Sequence, residues 1–220
     1  STQTRPDISF ATGALARYMH APTAELMNSA KNVLRYLVGT SKMGLQFKPS
    51  SSSMDVVGFG DADYAGDVDT RKSTTGYVFV WGGAAISWCS KRQPTVSTST
   101  MEAEYVAANA LVREALWLRK LMDGIVGAGS KGGGSRLPMQ LHSDNQAALA
   151  QLSQPTITAR SKHIDVCHHF ARDRVLLGDV RFAYCRTEDM AADFLTKALT
   201  PDKFRRCREM TGMVSIEEEI

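Results

Sequence analysis

The residues of this sequence best suited to chemistry are acids placed at the ends of predicted elements. Asp61 follows the apolar run Val56-Val57-Gly58-Phe59, and Asp144 follows Leu141-His142-Ser143, so each stands where a buried strand ends. If those strands are parallel neighbours, the two carboxylates converge at one rim of a sheet, where open α/β sheets commonly bind ligands. Glu102 opens the longest helical pattern, and Asp193 is expected one turn into a helix after the last strand. Clustered carboxylates raise one another's pKa unless a cation neutralises them. Oxygen-only ligation favours Mg2+ or Mn2+, and two such ions about 3.5–4 Å apart suit in-line phosphodiester cleavage.

Each acid also has a plainer reading. Ser99-Thr100-Met101-Glu102 matches an S-x-x-E capping box, Asp193 fits an exposed helix acid, and Asp61 with Asp63 and Asp67 fits turn chemistry around Gly66. No spacing rule makes the four acids meet; that depends on the elements carrying them.

Those elements are legible as periodicities. Residues 7–19 and 22–38 read as helices, the second with Leu26, Ala30, Val33, Leu34 and Leu37 at three-to-four spacing. Pro49 and the run Ser50-Ser51-Ser52-Ser53 signal a linker. Strands are expected at 54–61, 76–81 and 84–89, the last two joined by Gly82-Gly83 as a tight hairpin, giving an antiparallel meander. Residues 101–122 carry a broad apolar helical face, and 124–134 hold six glycines in eleven residues, a surface loop or an engineered join. Then follow a strand at 139–143, helices at 145–152 and 161–177, an alternating strand at 180–185, and helices at 188–199 and 201–210. A meander followed by alternating strands and helices implies a mixed α/β sheet covered by helices.

Composition sets the bounds. With 220 residues, 43% hydrophobic and 22% charged, the chain can build one substantial core and a small second unit, which excludes disorder as its main state. No run approaches the roughly 18–20 apolar residues of a membrane span, and residues 1–7 lack the pattern of a secretory signal, so a soluble intracellular protein is expected. The four cysteines form no C-x-x-C pair, which points away from a disulfide framework or a zinc site. Net charge is +3, and residues 156–186 alone hold six Arg/Lys against three Asp. That stretch reads either as a solvated helix face or as a phosphate-facing surface.

Five ordered motifs, Gly58-Phe59-Gly60-Asp61-Ala62-Asp63-Tyr64-Ala65-Gly66-Asp67, Ser99-Thr100-Met101-Glu102-Ala103-Glu104-Tyr105, Leu141-His142-Ser143-Asp144-Asn145-Gln146, Lys162-His163-Ile164-Asp165 and Ala192-Asp193-Phe194-Leu195-Thr196-Lys197, resemble the ribonuclease H domain of copia-type retrotransposon polyproteins. Thr4-Arg5-Pro6-Asp7-Ile8 through Leu34-Arg35-Tyr36-Leu37 resembles the stretch joining reverse transcriptase to that domain. The resemblance implies a lead-in over 1–50, a ribonuclease H-like domain over 51–200 with a five-stranded mixed sheet of order 3-2-1-4-5, and a C-terminal helix and acidic tail over 201–220. It implies cleavage of the RNA strand of RNA/DNA hybrids during reverse transcription with two Mg2+ ions, or Mn2+ in their place.

In that scheme Asp61 bridges both ions, Glu102 and Asp144 stand on one side, and Asp193 stands on the other. Glu102 is preferred to Glu104 because it follows Met101 as in the family, and Asp61 to Asp63 because it ends the apolar run. Ser97, Thr98 and Ser99 resemble contacts to DNA phosphates, which suits hydroxyls and amides at a helix N-terminus. Asn145, Lys162 and His163 join them as candidate nucleic-acid contacts. The partners implied are the hybrid and the reverse transcriptase domain of the same polyprotein, with no membrane, in a cytoplasmic virus-like particle or the nucleus.

One departure stands out. Only Arg186 and Thr187 separate Cys185 from Glu188, so the histidine-bearing loop of many cellular ribonucleases H has no counterpart there. His163 is the nearest substitute, against the plainer reading of a helix-start or core histidine. Two rivals remain open at this stage: a non-catalytic nucleic-acid-binding module that needs its polymerase, and a DNA-directed nuclease of the same fold.

Overall fold

The computed structural model describes residues 1–48, 55–126, 137–153 and 165–216. Its centre is a five-stranded sheet built from β2 (Val57–Asp63), β3 (Thr74–Trp81), β4 (Ala84–Arg92), β5 (Met139–Ser143) and β6 (Val180–Tyr184), in the order β4-β3-β2-β5-β6. β2, β3 and β4 form the expected antiparallel meander, while β5 runs parallel to both β2 and β6. Numbered within the sheet, this is the mixed 3-2-1-4-5 arrangement. The hairpin between β3 and β4 turns on Gly82 and Gly83, whose positive φ angles of 58° and 81° suit a turn that follows the strand twist.

Alternation along β3 sends neighbouring side chains to opposite faces, each with its own core. Phe79 packs with Tyr105, Leu111, Val112 and Leu141 under α3 (Thr100–Val126), while Val78 packs with Met190, Phe194, Leu195 and Cys207 on the other face. α4 (Gln146–Ser153) and α5 (Asp165–Leu176) complete the α3 side, and α6 (Pro201–Met210) caps the second. The candidate contacts Lys162 and His163, the glycine-rich run beyond Val126, the serine run and the acidic tail after Ile216 lie outside the described residues.

One expectation changes. The helix expected at 188–199 is instead two short 3-10 turns, Thr187–Asp189 and Asp193–Leu195. Its sequence explains why: Met190 through Thr196 are all buried, so the segment has no solvent face for an amphipathic helix and threads between the sheet and α6 as a packed turn. The lead-in folds back on the sheet domain. Its helices α1 (Ser9–Ala16) and α2 (Ala24–Gly39) are followed by a short strand β1 (Met43–Leu45), which pairs antiparallel with β7 (Met213–Ser215). Arg17 reaches Asp67 Oδ2 at 2.8 Å, the Tyr18 hydroxyl donates to Asp69 at 2.6 Å, and the Trp88 indole donates to the Ser1 carbonyl at 2.7 Å. No helix among the described residues is long and apolar enough to cross a membrane.

Candidate active site

The parallel pairing of β2 with β5 decides the site. Phe59 lies opposite His142 at the last paired position, so Asp61 and Asp144 follow it on adjacent strands at the same rim. α3 packs across β2 and brings a third acid to them. The carboxylates of Asp61, Glu104 and Asp144 come within 4.8 Å of one another, close enough to share one cation.

The third acid is Glu104, not Glu102. Glu102 Oε2 accepts from the Thr98 amide at 2.6 Å and from the Thr98 hydroxyl at 2.7 Å, while the Glu102 amide donates to Ser99 Oγ at 3.1 Å. This is a capping box drawn one residue outward, the plainer of the two readings of that motif. Residues two apart on a helix point about 200° away from each other, so only one of the two glutamates can face the rim. Glu104 shares its face with Ala108, Leu111, Ala115 and Leu118, all buried, at the three-to-four steps of the core-facing stripe. A carboxylate on that stripe was the available signal, and the local S-x-x-E match obscured it.

Asp193 joins from the far side of the sheet. Both its oxygens meet lysines: Oδ1 lies 2.9 Å from Lys197 Nζ, and Oδ2 contacts Lys203 Nζ of α6. Lys197 Nζ also lies 3.3 Å from Asp61 Oδ2, which accepts the Thr196 hydroxyl at 2.5 Å. Asp144 is oriented from the last strand's exit by the Thr187 hydroxyl, 2.8 Å from its Oδ2.

The electrostatics follow from this crowding. Burial, then repulsion by Asp61 and Asp144, pushes the Glu104 carboxyl well above the usual range. Burial also raises Asp61, with Lys197 opposing and Asp193 adding to the rise. For Asp193 burial acts upward too, but Lys197 and Lys203 outweigh it and hold the group below its ordinary value. Even the Cys185 thiol is pushed up to about 12, first by burial and then by Asp144 and the other acids around it. Such a set fits a hard divalent cation: its donors are carboxylate oxygens, three lie within reach of one ion, and their charges are costly until a cation joins them.

The expected phosphate contacts at the start of α3 have internal partners. The Ser97 hydroxyl is buried and donates to Gln93 Oε1 at 3.1 Å, Thr98 and Ser99 serve the cap, and Thr98 is the most exposed of the three. Asn145 caps α4, its Oδ1 accepting from the Ala148 amide at 3.0 Å.

A mixed 3-2-1-4-5 sheet with carboxylates gathered beside its two central parallel strands is the α/β arrangement that the resemblance to ribonuclease H domains implies. No family model matches the sequence. The chain is 39% identical over 212 residues to the retrovirus-related Pol polyprotein from transposon TNT 1-94 of Nicotiana tabacum, covering 96% of this chain and 15% of that protein. To the Pol polyprotein from transposon RE1 of Arabidopsis thaliana it is 36% identical over 215 residues, 97% of this chain and 14% of the relative. The chain is homologous to copia-type retrotransposon Pol polyproteins, of whose length it spans about one-seventh. Among solved structures, LC11-RNase H1, isolated from compost, superposes with a TM-score of 0.47 at 17% identity, covering 66% of this chain and 94% of that one.

Proposed function

We propose that this chain is the ribonuclease H segment of a retrotransposon polyprotein and hydrolyses the RNA strand of RNA/DNA hybrids formed during reverse transcription. The observation that carries the reading is the convergence of Asp61, Glu104 and Asp144 at the sheet rim, in a chain homologous to Pol polyproteins along 96% of its length.

In this reading Asp61, Glu104 and Asp144 would hold one ion, and Asp61 with Asp193 a second. Bound there, two divalent ions would supply an activated water, a stabilised leaving oxygen and neutralisation of the phosphate. The chain's own groups fix the geometry. Thr196 and Thr187 hold the carboxylates of Asp61 and Asp144 in place. The capping box of Glu102 with Thr98 and Ser99 anchors the first turn of α3. Hydrolysis at this rim leaves a 5′ phosphate on the downstream fragment. Choice of hybrid over duplex DNA rests on minor-groove shape and the 2′-hydroxyls of the RNA strand. The reverse transcriptase segment of the same polyprotein supplies the hybrid, in the cytoplasmic particle or the nucleus where reverse transcription runs.

The test offers labelled RNA/DNA hybrid, duplex DNA and duplex RNA side by side with Mg2+, Mn2+ or EDTA. Metal-dependent cutting of the RNA strand in the hybrid alone is expected. Salt-sensitive hybrid binding with no metal-dependent cut would instead identify a binding module.

A further inference from the structure

We infer that Lys197 is a built-in occupant of the second ion position, an ammonium that must leave Asp61 and Asp193 before a second divalent ion can join them. The inference rests on the acid cluster being an ion site, and adds an order in which that site fills.

The geometry is specific. Lys197 Nζ sits 3.3 Å from Asp61 Oδ2 and 2.9 Å from Asp193 Oδ1, between one oxygen of each of the two acids that a second ion would bridge. Asp61 therefore has two sides of unlike charge. Toward Glu104 and Asp144 it meets carboxylates within 4.8 Å, an arrangement that attracts a cation. Toward Asp193 it meets a cation already in place. A dication and an ammonium cannot share one pair of oxygens, because like charges a few ångströms apart repel strongly where water is largely excluded.

Asp193 can release Lys197 without being stranded. Its side chain is fully buried, but Lys203 holds its other oxygen, so the buried carboxylate keeps one cation and frees one oxygen when Lys197 withdraws. Lys197 has a way out: its side chain is 34% exposed and the residue follows the 3-10 turn Asp193–Leu195 rather than lying in a helix. The arrangement also explains how the acids assemble before any ion binds, since Lys197 supplies the counter-charge on the side the ion cluster lacks. The first ion then enters at Asp61, Glu104 and Asp144, and the second enters only in exchange for the ammonium. Lys197 is in this sense a positioning residue that sets metal affinity.

Calorimetric titration of the chain with Mg2+, without nucleic acid, separates the steps. The wild type is expected to bind one ion ahead of a weaker second. Lys197→Met should tighten the second step by at least about tenfold, the scale of one charge-assisted contact, whereas Lys197→Arg should keep the wild-type pattern. Identical stoichiometry and affinities in wild type and Lys197→Met would overturn the inference. Should Lys197→Met fail to fold, the Nζ resonances of the wild type decide: the Lys197 ammonium signal must move to the position of solvated lysines during the second step, and a signal unmoved at saturating Mg2+ overturns the inference. A wild type that cuts hybrid with Mg2+ but behaves identically to Lys197→Met faults only the role of the lysine. One that neither binds Mg2+ nor cuts overturns both readings.

Discussion

Gly76 lies directly across the β2–β3 ladder from Asp61, and its lack of a side chain is what lets the Asp193–Leu195 turn reach that carboxylate. A Cβ at Gly76 would stand 2.5 Å from Thr196 Cγ2, 3.0 Å from Leu195 Cβ and 3.2 Å from the Ala192 carbonyl oxygen. The turn begins with Asp193 and is followed directly by Thr196, so the glycine controls the approach of two groups to Asp61. Gly76→Ala should therefore destabilise the fold by about 1–3 kcal/mol through overpacking, and should weaken metal-dependent cleavage beyond what lost stability explains. Chemical denaturation and a cleavage assay on the still-folded fraction check both parts. Unchanged stability would show that the turn yields without cost.

The crowding of acids makes a second prediction. Ions that bind the folded site stabilise it by mass action, about 2.7 kcal/mol at a hundredfold excess over the dissociation constant. The melting temperature should rise with Mg2+ in the wild type. In Asp144→Asn the metal-free protein should be at least as stable, because Asp144 is among the charges that repel Glu104, and the Mg2+-dependent rise should shrink. Thermal unfolding with and without Mg2+ reads this directly. An equal rise in both proteins would remove Asp144 from the ion site.

How far the sequence revealed this site depended on what each acid's surroundings look like along the chain. Asp61 and Asp144 were legible because each ends a short apolar run, and parallel pairing of those runs is a common consequence of the α/β alternation. Glu104 was not, because two glutamates stand two residues apart and the S-x-x-E pattern marks Glu102 without saying whether it marks a ligand or a cap. The phase of Ala108, Leu111 and Ala115 favours Glu104, but that phase becomes compelling only once the buried face is known. Asp193 stands beside Asp61, sharing Lys197 with it, but on a 3-10 turn and not on the helix the sequence suggests. The segment Met190 to Thr196 is buried by packing from both sides, a tertiary effect that helical propensity does not contain. Strands β1 and β7 are three residues each, too short for any period to register.

A third prediction concerns the joint between the lead-in and the sheet domain. Asp67 accepts from Arg17 at 2.8 Å and Arg92 at 3.0 Å on one oxygen, and from the Thr70 amide and hydroxyl at 2.9 and 2.7 Å on the other. Burial acts to raise its pKa, but Thr70 and Arg92 prevail and hold it well below the ordinary carboxylate range. A folded-state pKa depressed below the unfolded value contributes stability that is complete above about pH 4 and is lost as pH falls through the folded value. Asp67→Asn should cost about 1–3 kcal/mol at neutral pH, with the gap to the wild type closing as pH drops below about 4. Denaturation at pH 7 and in steps from pH 4 downward follows the gap as it closes. A gap that stays constant would assign the loss to packing rather than to the ion pairs.

The two glutamates of α3 test the central claim most directly. Glu104→Gln and Glu102→Gln stand two residues apart and each replace a carboxyl group by a neutral amide of the same shape, yet one alters the acid cluster and the other the helix cap. The measurement is the rate of RNA-strand cleavage in an RNA/DNA hybrid with Mg2+, taken at a temperature where both variants are folded. Glu104→Gln should lose at least about a hundredfold in rate, the scale of removing one group that stabilises the reacting phosphate. Glu102→Gln should cut at close to the wild-type rate and give up about 0.5–2 kcal/mol of stability as a weakened cap. A Glu104→Gln variant with wild-type activity, or loss of cleavage in Glu102→Gln alone, would contradict the assignment of the rim formed by Asp61, Glu104 and Asp144 as the catalytic centre.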